Sequence, residues 1–225
     1  MQTIHVADRV FGAGRPEDCR AVAVDAGLIV AIGPYEAMAE ARPQARVRRW
    51  PGLLTPGLRH PQSLALLEGA YHPDPREAEE LGDEPLTGQA LAALAMDDAR
   101  WGASARRGLQ RLLRHGVIAV SGPFARPSVR TAVARSGLRV EEPPVEALGV
   151  EEARSRREGG ALALDPFAGF PLSALIAGSL APGSPADFAV FDVPADELPA
   201  RALREHGAGS CVATVLAGRL VHRRA

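Results

Sequence analysis

Along residues 1–54 the apolar positions come in short runs separated by turn residues. Gln2 to Phe11 alternates apolar and polar, the period of a strand with one buried face. Arg20 to Val24 and Leu28 to Ile32 flank Asp25-Ala26-Gly27, a turn whose glycine accepts the positive φ of a tight reversal, so a hairpin is expected. Gly33-Pro34 closes the second strand, Tyr35 to Glu40 reads as a short helix, and Arg46 to Leu54 is a fourth strand. Such strands cannot bury both faces by themselves.

From residue 55 the period changes. Pro85 to Arg114 carries Leu86, Leu91, Leu94, Trp101, Leu109, Leu112 and Leu113 at helical spacing and stops at His115-Gly116. Val117 to Val120 reads as a buried strand, Pro127 to Ser136 as a helix stopped by Gly137, and Leu138 to Val140 as a further strand. This alternation is that of parallel βα units. Glu141 to Gly159 is a linker or exposed helix, Ala161 to Leu164 a short strand ending at Asp165-Pro166, and Pro166 to Ala186 a buried loop with a short helix. Strands return after 181: Ala186 to Val193 alternates, Ala195 to His206 is an amphipathic helix, and Val212 to Leu216 and Arg219 to His222 flank Ala217-Gly218. Strands at both ends around an αβ centre predict a sheet module built by the two chain ends, residues 1–54 and 181–225, with residues 55–180 inserted.

Composition narrows the chemistry. The 225 residues are 46% hydrophobic and 24% charged, an ordinary globular balance, and 26 basic residues nearly cancel 27 acids. A net charge of −1 gives no stripe for nucleic acid and no polybasic membrane patch. Every basic residue is arginine, and the absence of lysine removes Schiff-base chemistry and a phosphate-loop lysine. Asparagine is also absent. Cys19 and Cys211 form neither a disulfide framework nor a zinc knuckle and read as buried thiols of a cytoplasmic protein. The start of the chain lacks a signal-peptide pattern, and the prolines of residues 166–186 would break a membrane helix.

Four landmarks then carry a resemblance. Phe11-Gly12-Ala13-Gly14, Ala23 to Gly33, Leu54-Thr55-Pro56-Gly57-Leu58 and Leu180-Ala181-Pro182-Gly183-Ser184-Pro185-Ala186-Asp187-Phe188-Ala189-Val190-Phe191-Asp192 occur in the order found in the amidohydrolase superfamily. In flavour the chain resembles imidazolonepropionase and aminofutalosine deaminase. The resemblance implies an α/β plus β fold: a composite β-sandwich from both chain ends beside a (β/α) barrel whose first strand follows Thr-Pro-Gly. Leu109 to Val120 and Val129 to Val140 resemble early barrel units, while residues 61–85 and 141–160 have no counterpart. A full barrel takes about 250 residues and rarely fewer than about 200. The segment from Pro56 to Leu180 has room for only part of one, so a truncated, barrel-like segment is expected, with open sheet edges that need covering.

The resemblance also implies a metal site, and here the chain departs from it. The family's paired histidines would fall on Gln62 and Leu64, neither of which replaces imidazole on zinc. His60 lies two positions early and precedes Pro61, and Asp165 sits where the family's last metal-site aspartate would. His60 and Asp165 are therefore the candidate catalytic residues, against the simpler reading of surface or capping groups. His115 reads as a helix-end cation, His72 as a loop residue, His5 and His222 as sandwich residues, and Glu77 to Glu84 as a solvated acidic run. Three functions remain open. The first is an imidazolonepropionase-like amidohydrolase-fold protein that has lost its metal site, holds no cofactor, and acts as a binding or partner subunit, either as a homo-oligomer or with another protein, without nucleic acid or membrane. The second is an active, zinc-dependent hydrolase of non-peptide carbon–nitrogen bonds, such as a cyclic amide or amidine. The third is a purely structural interaction module.

Overall fold

A computed structural model describes residues 2–11, 19–142 and 162–224. Its described strands form three sheets, none of them closed into a barrel, in a mixed α/β arrangement. The first sheet has the order β4-β3-β1-β5, with β1 (Thr3–Val6), β3 (Ala21–Asp25), β4 (Leu28–Gly33) and β5 (Arg46–Arg49). The second joins strands far apart in sequence: β12 (Arg219–Arg223), β11 (Cys211–Leu216), β10 (Phe188–Phe191), β6 (Leu53–Pro56) and β2 (Arg9–Val10), in that order. In the register of β6 on β10, Leu53 lies opposite Phe191 and Pro56 opposite Phe188. The third sheet is all parallel, β7 (Leu58–His60), β8 (Val117–Ser121) and β9 (Arg139–Glu141).

The two tight hairpins follow from turn chemistry. Ala26 and Gly27 both have positive φ (47° and 83°), as do Ala217 and Gly218 (47° and 74°), the type I′ geometry that matches strand twist. The two turns meet. Gly218 leaves no room for a side chain beside Gly27, and the Ala217 N–H donates to Asp187 Oδ1 at 2.6 Å. The Gly218 N–H donates to Ala186 O, and the Ala186 N–H to Gly27 O. The last of the four landmarks is thus a clasp between the first and second sheets.

Helices α1 (Tyr35–Ala41), α2 (Ser63–Glu68), α3 (Ala78–Leu81), α4 (Gly88–Ala92), α5 (Asp98–Arg114), α6 (Pro127–Ser136), α7 (Leu172–Leu175) and α8 (Pro199–His206) connect the strands. Helix α5 starts where the Asp97 carboxylate accepts from the Arg100 N–H at 2.7 Å, and it buries Trp101, Ala105, Leu109 and Leu112. Leu109 and Leu112 share one apolar cluster with Leu58, Val117, Leu53, Ala189 and Phe191, so the centre of the chain and the second sheet pack on common ground. Each such leucine contributes about 1.5–3 kcal/mol by leaving water.

Several sequence expectations need correction. Gln2 to Phe11 is two short strands, because the chain leaves the first sheet after Val6 to join the second at Arg9. Arg46 to Leu54 divides in the same way into β5 and β6. The stretch 85–114 is two helices separated by residues 93–97, with α4 largely solvent-facing. Residues 162–164 are not a strand; Ala161, like most of the 141–159 linker, lies outside the described residues. Residues 186–193 do not alternate in burial: β10 is covered on both faces, by the first sheet on one side and the α5 cluster on the other.

Candidate functional site

In parallel αβ architectures functional side chains gather at the carboxyl ends of the strands. Here those ends carry Arg59 and His60 on β7, Ser121 on β8 and Glu141 on β9. The Ser63 hydroxyl, on the first turn of α2, donates to His60 O at 2.8 Å and receives the Ser121 N–H at 2.6 Å, tying β7 to β8. Arg59 and Glu141 form an ion pair at 2.6 Å, Arg139 stands 3.5 Å from the same carboxylate, and Arg139 also reaches Asp187 at 3.7 Å. Two guanidiniums and two carboxylates therefore neutralise one another at this end of the sheet. The sequence pointed to neither Arg59 nor Glu141; only their shared place at strand ends, visible once the pairing is known, brings them together.

His60 is fully buried, so a surface role for it is excluded. Its ring is held at both nitrogens. The Gln62 N–H donates to Nδ1 at 3.2 Å, and Nε2 lies 3.1 Å from the carbonyl of Ala163. A backbone N–H can only donate and a carbonyl can only accept, so Nδ1 carries the lone pair and Nε2 the proton. The ring has no free lone pair for a metal. Asp165 serves as a backbone cap: Oδ1 accepts from the Phe167 N–H at 2.8 Å and Oδ2 from the Ala208 N–H at 2.9 Å. Ala163, which meets the His60 ring, lies two residues before Asp165. Gln62 precedes the first turn of α2 and is buried, whereas Leu64 is 42% exposed.

Among the described residues no group of three or more His, Cys, Asp or Glu side chains is arranged to hold a metal ion. The residues at the expected ligand positions do not fit a zinc site of the amidohydrolase type. His72, His5 and His115 have structural partners. His72 is fully buried, donates from Nε2 to Leu66 O at 2.9 Å, and has its pKa lowered to about 4, first by burial and then by repulsion from Arg111 and Arg107. His5 accepts the Trp50 indole N–H on Nδ1 at 3.2 Å, and its pKa is lowered to about 3 by burial, with Arg48 adding to the effect. His115 ends α5 as expected, its Nδ1 2.8 Å from Arg111 O. Cys19 and Cys211 are buried free thiols, and burial raises Cys211 to about 11. Glu77 of the acidic run is engaged by the Tyr71 hydroxyl and Arg100. No helix among the described residues is long and apolar enough to cross a membrane.

The fold has likenesses among solved structures. It is similar to E. coli guanine deaminase, with a TM-score of 0.55 at 12% identity over 100% of both chains, a likeness of fold. It is also similar to A. niger ochratoxinase (20% identity, TM-score 0.41, 63% of this chain and 31% of that one) and to Helicobacter pylori aminofutalosine deaminase (16%, TM-score 0.40, 72% and 40%). The chain thus spans about a third of the ochratoxinase chain. No protein-family model matches the sequence, and no curated protein matches it.

Proposed function

We propose that this is an amidohydrolase-fold protein without a working catalytic metal site, which acts as a binding or partner subunit. In this reading residues 1–54 and 181–225 form the composite sandwich, and residues 55–180 a truncated barrel-like domain. The observation that carries the proposal is the state of His60, whose two ring nitrogens are committed to Gln62 and Ala163. Gln62, Leu64 and the capping role of Asp165 support it. The third sheet supports the need for a partner, either a second copy or another protein. Among the described residues it has three strands where a barrel would have eight, and Val140 on β9 is 54% exposed. Nucleic acid and membrane are not called for by a net charge of −1.

Metal analysis of the purified protein, with light scattering on the same sample, tests this. The expected result is zinc and iron far below one equivalent and a mass above the 23.7 kDa monomer. Near one equivalent of metal, retained through gentle chelation and lost in the His60→Ala, Asp165→Ala double variant, would overturn the reading. It would favour a hydrolase of non-peptide carbon–nitrogen bonds.

A further inference from the structure

Strands β5 and β12 are the outer strands of two different sheets. Between them lies a cavity of about 240 Å³ bordered by Arg46, Arg48, Arg49, Trp50, Leu220 and Arg223. Arg46 and Arg48 are two residues apart on β5, so both project from the same face. That is also the face of their cross-strand neighbours Thr3 and His5, and His5 points to Trp50 and Phe188 in the space between the sheets. Arg223 approaches from the other sheet, its guanidinium 5.8 Å from the Trp50 ring. Arg49 has an occupation of its own over the Tyr35 ring, at 4.5 Å.

No carboxylate of the described residues borders this cavity, and Arg46, Arg48 and Arg223 have no ion pair there. Six other arginines, Arg59, Arg100, Arg107, Arg139, Arg201 and Arg224, each meet an acid. Gathering three uncompensated guanidiniums beside one small concavity is unfavourable without an anion. Burial, followed by repulsion from Arg46 and Arg223, holds Arg48 below the usual guanidinium range. Inward-pointing charges on edge strands also discourage edge-to-edge aggregation. That role, however, needs neither contributions from two sheets nor a cavity with an aromatic wall.

We propose that the cleft between β5 and β12 binds a small oxyanion of the phosphate class, held by the planar donor forks of Arg46, Arg48 and Arg223 beside Trp50. Guanidinium forks match the geometry of phosphate oxygens and give shorter, stronger hydrogen bonds than neutral donors. The size of the cavity suits one such group, and the charge is local, as a compact ligand requires.

The test is a titration of the full chain at constant ionic strength with inorganic phosphate, phenyl phosphate and, as control, acetate. It is followed by the Trp50 indole resonance and by the thermal midpoint. Saturable 1:1 binding of phosphate or phenyl phosphate, but not acetate, is expected, with a ligand-dependent rise in the midpoint. Arg48→Gln should weaken binding roughly tenfold or more, and Arg48→Lys, which keeps the charge but loses the fork, by less. Equal affinity for the two ligands identifies the free ion as the natural occupant, and preference for phenyl phosphate a phosphorylated small molecule; both sustain the proposal. It is overturned if Arg48→Gln is folded and stabilised while the wild type shows no saturable response, since the arginines are then edge guards only. Binding restricted to oligonucleotides or other polyanions also overturns it.

Discussion

At the ends of β7 and β9, Arg59 and Arg139 face Glu141 and Asp187, and the charges cancel. Between β5 and β12, Arg46, Arg48 and Arg223 face one another. The first place is where the fold would put an active site, and its charges are balanced there, although Arg59 Nε, Arg139 Nη2 and Ser121 Oγ are buried without a hydrogen-bond partner. The second is remote from the strand ends and has unspent binding capacity. Position in a fold shows where chemistry has room to occur, and whether the charges there are already balanced decides whether an ion is drawn in.

The comparison can be sharpened by substitution, beginning with the tie between β7 and β8. Ser63→Ala removes the acceptor of the Ser121 N–H inside the protein and should cost about 2–3 kcal/mol in chemical denaturation, the penalty of a buried unpaired donor. A loss below about 0.5 kcal/mol would mean that the strand ends are looser than their hydrogen bonds imply.

Acid comes next in size and touches both regions. His72 beneath α5 and His5 behind the arginine cleft are kept neutral in the folded protein, at about 4 and about 3 against 6.5 when unfolded. Their contribution is whole above pH 6.5. It declines as pH falls from 6.5 toward those values, because the unfolded chain takes up the protons first, and by pH 5 each histidine should cost about 1–2 kcal/mol. His72→Gln, which keeps a donor for Leu66 O without titrating, should flatten the pH dependence of the denaturation midpoint. An unchanged slope would remove His72 from this account.

The smallest effects carry opposite signs in the two places. Glu141→Gln leaves Arg59 and Arg139 undercompensated and should destabilise by about 1 kcal/mol, since the pair is partly solvent-screened. In phosphate-free buffer Arg48→Gln should instead stabilise by about 0.5 kcal/mol, by relieving repulsion. Equal signs in matched denaturation curves would break the comparison.

Local features of the fold could be read from the sequence because local chemistry decides them. Asp25-Ala26-Gly27 and Ala217-Gly218 required tight hairpins, and Pro127 with Gly137 bounded α6 at the residues where it begins and ends. The double burial of β10 could not be read, since it depends on packing by α5 and by the first sheet. The mismatch at Gln62 and Leu64 was visible in the sequence, but the locked ring of His60 was not, because its second anchor, Ala163, is remote in the chain. For the same reason Arg46 and Arg48 looked like part of an ordinary strand: Arg223, which gives them meaning, comes at the far end of the sequence.

The pairing of β6 with β10 also bears on how the chain acquires its shape. Leu53 to Pro56 must wait for Phe188 to Phe191, so the second sheet closes over a loop that contains all of the parallel units. Closing long loops costs entropy before any contact repays it, and high contact order slows folding. On a ribosome the βα centre has its local partners early, while the apolar β6, with only β2 beside it, keeps the edge that pairs with β10 open until the last strands are synthesised. The interval of greatest exposure to aggregation and to chaperones is therefore set by the distance between two halves of one sheet.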